Sequence, residues 1–266
     1  MLVHITDLHI REPGQLAYGR IDTSLYLQRT VQAILRLAQT PDAVVASGDL
    51  TDYGRPAEYA HLAALLAPLA DAGIPLYLMP GNHDDRDALR RAFPSHAYLG
   101  HGGFVQYSVR VGPLRLLALD TVVPRAPHGA LCGERLGWLA AQLDASGNEP
   151  VVVAMHHPPF RTLIDAMDGM GLLQGGPELE AIVRQHPNVE RVICGHLHRA
   201  IDVRFGGTIA CTTPAPAHQI ALDLAPGAPL RWTLEPSQLR VLAWDGQRVV
   251  SHLAGAGGFD GPHAFG

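Results

Sequence analysis

Pro41-Asp42-Ala43-Val44-Val45-Ala46-Ser47-Gly48-Asp49 is the stretch on which the fold turns. Five small or β-branched residues, closed off by a glycine, read as a short buried strand that hands over at once to a carboxylate. Upstream, Leu27, Val31, Ile34, Leu35 and Ala38 recur at helical spacing, so a helix is expected over 22–40, stopped by Pro41. Before it, residues 1–6 form another apolar run. Downstream, Pro56 is placed to open a helix reaching about Ala72 before Gly73, and residues 76–79 make a third strand. Apolar runs alternating with amphipathic helices argue for an α/β fold.

Further along, the period changes. Val105, Tyr107, Val109 and Val111 alternate, Gly112-Pro113 turns the chain, and residues 114–119 return as a strand. A short helix after Asp85, helices over 136–143 and 177–185, and strands over 151–154 and 189–193 are expected from the same signals. Residues 239–244 and 248–253 flank Asp245-Gly246, a tight hairpin turn. The sheet component is therefore mixed, with parallel units early and antiparallel pairs later. The glycine-rich tail after Ala254 is expected to be loosely ordered. There is no internal repeat and no linker composition, so one domain over 1–266 is expected.

Composition narrows the function. The formal charge of −5, with 20 basic and 25 acidic residues, includes no basic track for nucleic acid or an anionic membrane. All 20 basic residues are arginine, which removes Schiff-base and phosphate-loop lysine chemistry. No uncharged apolar run approaches the roughly 18 residues of a membrane span. Asp7 and His9 make the N-terminus a poor signal peptide. Cys132, Cys194 and Cys211 form neither a CxxC pair nor a disulfide framework, so a cytoplasmic setting is expected. A serine hydrolase is disfavoured by the lack of a Gly-x-Ser-x-Gly elbow. Histidine is the anomaly, with 15 copies.

Five of the expected strands end alike. They run into Asp7-Leu8-His9, Gly48-Asp49, Gly81-Asn82-His83-Asp84, His156-His157 and Gly195-His196-Leu197-His198. In an open α/β sheet, ligands bind beyond the carboxyl ends of the strands. Alternate residues of an extended chain share a side, so Asp7-x-His9 and His196-x-His198 can each grip as a pincer. Imidazoles with carboxylates and one amide oxygen suit zinc, iron, manganese or cobalt. Seven ligands exceed one tetrahedral site but fit two ions sharing a carboxylate. Such a pair, about 3.5–4 Å apart, generates a hydroxide and clamps the oxygens of an in-line displacement at phosphorus. Taken singly, each motif has a duller reading: a helix cap for Asp-x-His, a turn residue for Asp49, turn support for Asn82 and Asp84. Their joint occurrence in one order after five strands is what favours metal.

These blocks resemble the five-block signature of the calcineurin-like metallophosphoesterases, and none is degraded. The stretch 41–49, His-His-Pro-Pro at 156–159 and a late His218 are similar to the glycerophosphodiesterase and class III cyclic-nucleotide phosphodiesterase branch. The resemblance implies a four-layer α/β/β/α sandwich with two mixed sheets and a dinuclear centre of iron, manganese, zinc or cobalt. It also implies homo-oligomers, as in the glycerophosphodiesterase members. Carried over position by position, Asp7, His9 and His198 hold the first metal, Asn82, His156 and His196 the second, and Asp49 bridges. His83 matches the histidine that approaches the substrate phosphate or leaving oxygen, with Asp84 orienting it through its far ring nitrogen. Asn82 also faces substrate, and His218 matches a further substrate-side histidine.

The expected activity is hydrolysis of small phosphodiesters, glycerophosphodiesters or cyclic nucleotides, by attack of a metal-bridging hydroxide. Phosphomonoesterase activity shares the whole metal site, and a non-catalytic scaffold of the same fold is the rival from another class. A nuclease is less favoured without a basic track or stacking aromatics. His4 and His252 read as structural histidines. His157 should point away from the metals, toward a second hydrogen-bonding partner. Trp138 and Leu139 read as helix packing and Cys194 as a small buried residue, while Tyr18, Arg20 and Arg161 are candidates to line the pocket, with solvated surface as the default reading.

Overall fold

In the computed structural model, which describes residues 1–265, β1 (Leu2–Ile5) leads to α1 (Thr23–Leu35), β2 (Ala43–Ser47), α2 (Pro56–Asp71), β3 (Leu76–Met79) and α3 (Arg86–Ala92). The hairpin β4 (Tyr107–Val111) and β5 (Leu114–Leu119) follows, then the short β6 (Gly129–Ala130), α4 (Gly133–Ser146) and β7 (Val151–Met155). Next come α5 (Asp165–Asp168), β8 (Leu172–Gln174), α6 (Gly176–Gln185) and β9 (Val189–Cys194). The chain finishes with β10 (Ile201–Phe205), β11 (Thr208–Thr212), β12 (Gln219–Ile220), β13 (Trp232–Thr233), β14 (Gln238–Trp244) and β15 (Val249–Gly255).

The helix ends follow local chemistry. Asp22 caps α1, its carboxylate accepting from the Leu25 amide at 3.2 Å. Helix α1 stops at Leu35 rather than near Thr40, and the chain turns through 36–42 to enter β2. Pro56 starts α2 and Asp85 caps α3, as the sequence suggests. Helix α4 runs longer than its apolar period, since its polar ends also take helical backbone.

Two sheets carry the architecture. The first has the order β15-β14-β1-β2-β3, with β1, β2 and β3 parallel and the β14–β15 hairpin antiparallel at one edge. The second runs β10-β11-β9-β7-β5-β4, and its four inner strands are parallel. Antiparallel pairing therefore marks the sheet edges, not the later half of the chain. The edge hairpin β10–β11 was not expected; Gly206-Gly207, both with positive φ, turns it.

Side-chain alternation shows how the sheets stack. In β5, β7 and β9, Leu116, Ala118, Val152, Ala154 and Ile193 belong to the core that includes β1, β2, α1 and α2. Their neighbours Leu117, Leu119, Val153, Val192 and Cys194 pack instead with α4 and α6. Each sheet is thus covered by helices on its outer side and by the other sheet within, the α/β/β/α arrangement expected. At the C-terminal end, Gly255 still pairs with Gln238 and Ala256 is fully buried, so order extends past Ala254. No helix among the described residues is long and apolar enough to cross a membrane.

Candidate metal centre

The carboxyl ends of β1, β2, β3, β7 and β9 meet at one place, and backbone bonds stitch the turns together. Asp7 N donates to Gly48 O at 3.0 Å, His9 N to Asp49 O at 2.9 Å, and Gly195 N to His156 O at 3.0 Å. Carboxylates add ties: Asp7 accepts from the His196 amide at 2.9 Å, and Asp49 Oδ1 from the His83 amide at 2.9 Å. The crossing is tight. A Cβ on Gly195 would come within 2.0 Å of Thr6 Oγ1, and one on Gly48, at φ +100°, within 2.5 Å of His156 Nδ1.

The backbone is strained where the donors stand. Asp7, His9, Asp49, His196 and His198 all hold positive φ, between 45° and 69°. For residues other than glycine that conformation costs about 1–3 kcal/mol each and gathers at functional sites.

Seven donors fall into two groups around Asp49. In the first, Asp7, His9, Asp49 and His198 each place a donor atom within 4.8 Å of the others. His9 Nε2 lies 3.2 Å from His198 Nε2 and 3.6 Å from Asp49 Oδ2, and His198 Nε2 lies 3.4 Å from Asp7 Oδ1. In the second, His156 Nε2 is 3.4 Å from the same Asp49 Oδ2 and 3.1 Å from Asn82 Oδ1, while His196 Nδ1 is 3.0 Å from Asn82 Oδ1. One carboxylate oxygen of Asp49 therefore reaches both groups.

The opposite ring nitrogens fix the tautomers. Nδ1 of His9 donates to Asp52 Oδ1 at 3.2 Å, that of His198 to the His218 carbonyl at 3.0 Å, and that of His156 to the Ser47 carbonyl at 2.8 Å. Each acceptor lacks a proton of its own, so Nδ1 carries the hydrogen and Nε2 presents a lone pair inward. Neutral imidazole nitrogens with carboxylate and amide oxygens are a donor set for iron, manganese, zinc or cobalt.

Electrostatics without a cation are discordant, as a ligand cage should be. Burial raises the Asp7 carboxyl to about 6, while His156 opposes the rise. Burial would raise Asp49 too, but His156, His83 and His9 hold it well below the usual carboxylate range. Burial works against charge on His156, yet Asp49 lifts it to about 9; burial drives His196 down to about 3. Such opposed shifts in one buried cluster mark a functional site.

The other expected residues are placed as follows. His83 donates Nδ1 to the Asp52 carbonyl at 2.8 Å and lines the cavity over the donors. Asp84 does not hold it. Its carboxylate instead accepts from the amides of Leu50, Thr51 and Gly81 and from the Tyr59 and Thr51 hydroxyls, tying the β2 and β3 turns together. The expectation failed because the carboxylate turns to the amides of the β2 turn and of Gly81 in its own turn. His218 is 1% exposed, its ring 4.6 Å from that of His198, and neither ring nitrogen has a partner. It stands behind Tyr18, whose ring meets it edge-on at 5.3 Å. His157 donates or accepts at Thr121 Oγ1 through Nδ1 at 2.7 Å, off the donor set, with its ring against that of His196. His4 is buried between Ser47 Oγ and Thr213 Oγ1, a satisfied structural histidine.

One residue escaped the sequence reading, and for another the default reading is corrected. Asp52 holds both His9 and His83, and its place three residues after Asp49 was the available signal. Tyr18, a pocket candidate whose default reading is surface, borders the cavity.

Over its whole length the chain is 32% identical to a protein of Arcobacter nitrofigilis named probable glycerophosphodiester phosphodiesterase GpdQ, of which it covers 96%. It is also 32% identical, across 85% of its own length and 70% of the relative's, to a cAMP/cGMP dual specificity phosphodiesterase of Mycobacterium tuberculosis. Its fold is shared with a dimetal phosphatase from Danio rerio, at a TM-score of 0.68 and 16% identity over 96% of each chain. Residues 1–200, which carry all seven donors, match the calcineurin-like phosphoesterase family, and the chain belongs to that family.

Proposed function

We propose that this protein is a metal-dependent phosphodiesterase acting on small phosphodiesters, the class that includes the glycerophosphodiesters and cyclic nucleotides named for its relatives. The observation that carries the reading is the pair of donor groups sharing Asp49 Oδ2, with imidazole lone pairs aimed inward. Asp7, His9 and His198 would hold one ion and Asn82, His156 and His196 the other, with Asp49 between them. Iron, manganese, zinc and cobalt suit these donors. When bound, such a pair readies water for attack at neutral pH and offsets phosphoryl charge.

The remaining chemistry belongs to the chain. With Oδ1 turned to His156 and His196, Asn82 keeps its amide hydrogens for a phosphoryl oxygen. His83 keeps its Nδ1 hydrogen on the Asp52 carbonyl, so only Nε2 can meet the substrate. A doubly protonated His83 gives its Nε2 proton to the departing alkoxide and is left neutral. His218 serves the substrate side through Tyr18, which it supports.

Charge separates diester from monoester. Among the described residues lining the cavity there is no arginine, and the chain has no lysine. Arg11 is engaged with Asp52 and Glu58, Arg86 with Asp120 and Arg199 with Glu235, while Arg125 lines a neighbouring pocket that also reaches Asn82. No guanidinium or ammonium group among the described residues lines the cavity to meet the second negative charge of a monoester. We extend the reading to a single functional unit over 1–266 that works in the cytoplasm on a small molecule and assembles with copies of itself; three unpaired cysteines support that compartment.

The test is a comparison of kcat/KM for bis-p-nitrophenyl phosphate and p-nitrophenyl phosphate on manganese- or cobalt-loaded protein. The diester should be preferred. A monoester preference would reverse the assignment, and inactivity on both at full metal loading would favour the scaffold.

A further inference from the structure

We propose that the cavity selects phosphodiesters whose retained alcohol is apolar, an alkyl or aryl group rather than a polyol; this rests on the phosphodiesterase reading above. The cavity, about 170 Å³, has two unlike faces. One is the donor floor with His83. The other is made by Tyr18, Pro127, Met167, Met170, Ile220 and Leu230, and its only hydrogen-bonding side-chain group is the Tyr18 hydroxyl.

The apolar face is a packed part of the fold. Leu197 lies between His196 and His198 in the turn after β9, and its side chain joins a buried cluster with Ile164 and Met167. Met170 and Ile220 pack on that cluster. Leu230 comes from the connection between β12 and β13, which is tied to α5 by the Gly227 amide donating to Asp165 Oδ2 at 3.0 Å. At the rim, Tyr18 is 54% exposed and lies nearly parallel to Trp232, with ring centroids 6.0 Å apart. Its ring offers a surface for a flat group.

With the leaving oxygen at His83, this wall is the part of the cavity left to the retained ester group. A glycerol arm there would give up water for a wall that offers, the Tyr18 hydroxyl apart, no side chain to accept or donate, whereas an alkyl or aryl arm buries surface without that loss. Methionine thioethers adjust to varied apolar shapes, so the wall sets a class rather than one compound.

The test keeps the leaving group constant. Methyl, propyl, butyl and 2,3-dihydroxypropyl p-nitrophenyl phosphates are compared by kcat/KM on manganese-loaded protein. The values should rise roughly twofold to threefold per methylene, short of the ~fourfold of complete burial. The propyl ester should clearly exceed its dihydroxy counterpart. Leu230→Asn, at a residue already 50% exposed, should shrink both the chain-length dependence and the propyl-to-dihydroxypropyl ratio. Met170→Gln, close in volume, should do the same. A dihydroxypropyl ester turned over as fast as the propyl ester, or ratios unmoved in both variants, would overturn the proposal. If no ester is hydrolysed at all, the phosphodiesterase reading itself falls, a separate result.

Discussion

His9 and His198 point their Nε2 atoms at each other across 3.2 Å, although each ring has already placed its only neutral-state hydrogen elsewhere, on Asp52 and on the His218 carbonyl. Two lone pairs facing at that range repel unless a cation comes between them. Burial and the nearby His218 and His9 rings keep His198 well below its ordinary pKa, while against burial Asp52, Asp49 and Asp7 raise that of His9, so a proton held by His9 or a metal ion can bridge the pair. The geometry is that of a ligand pair.

Asp52 fixes the first of those rings, so Asp52→Ala should weaken metal binding rather than abolish the fold. Losing the group that orients a metal-bound histidine typically costs about 10–100-fold in affinity. Calorimetric titration with manganese should show the weaker binding, and excess manganese should restore much of the activity. Unchanged affinity would remove Asp52 from this role.

His83→Ala should retain metal, because its ring is not among the seven donors. Removing a general acid lowers kcat by about 10²–10⁴-fold when the leaving group needs a proton. The loss should be greatest for alkyl leaving groups and least for p-nitrophenolate. Equal losses across leaving groups would contradict proton donation.

Asp84→Ala should act on the frame of the site. Its carboxylate gathers three backbone amides and two hydroxyls from the β2 and β3 turns. Leaving those donors without an acceptor should destabilise the protein by at least about 2–3 kcal/mol in urea unfolding. The pH dependence of kcat should keep its shape, since His83 is held by Asp52. A changed profile would return Asp84 to the role that sequence suggested.

His4 supplies a pH prediction away from the donors. Burial, with Arg240 nearby, lowers it to about 3 from 6.5. Between those values the unfolded chain binds the extra proton, so the stability from a neutral His4 is complete above about pH 6.5 and is lost as pH falls toward 3. The slope reaches about 1.4 kcal/mol per pH unit. His4→Gln, which can still bond Ser47 and Thr213, should lose about 2 kcal/mol less than the wild type between pH 7 and 5. Parallel losses would show that His4 titrates normally.

The donors were legible because each is local: a short apolar strand ending in a glycine or a polar turn announces itself within ten residues. Seven donors in five blocks needed no knowledge of packing to be suspected. What packing decides was not legible. Asp84 lies next to His83 in sequence yet turns to other amides, and Asp52 reaches His9 and His83 across the fold. The left-handed φ of five donors is set by the crossing turns; Asp and His tolerate that conformation better than most residues, but nothing local demands it. The β10–β11 hairpin is half exposed and interleaves Asp202 and Arg204 with apolar residues, so only Gly206-Gly207 betrayed it. The apolar wall draws Met167, Ile220 and Leu230 from segments far apart in sequence.

The most direct measurement is anomalous diffraction at the manganese edge from crystals grown with that metal. Two peaks about 3.5–4 Å apart, one beside Asp7, His9 and His198 and the other beside Asn82, His156 and His196, with Asp49 touching both, are the expected result. A single peak, or donors turned outward with no peak between them at saturating manganese, would contradict it.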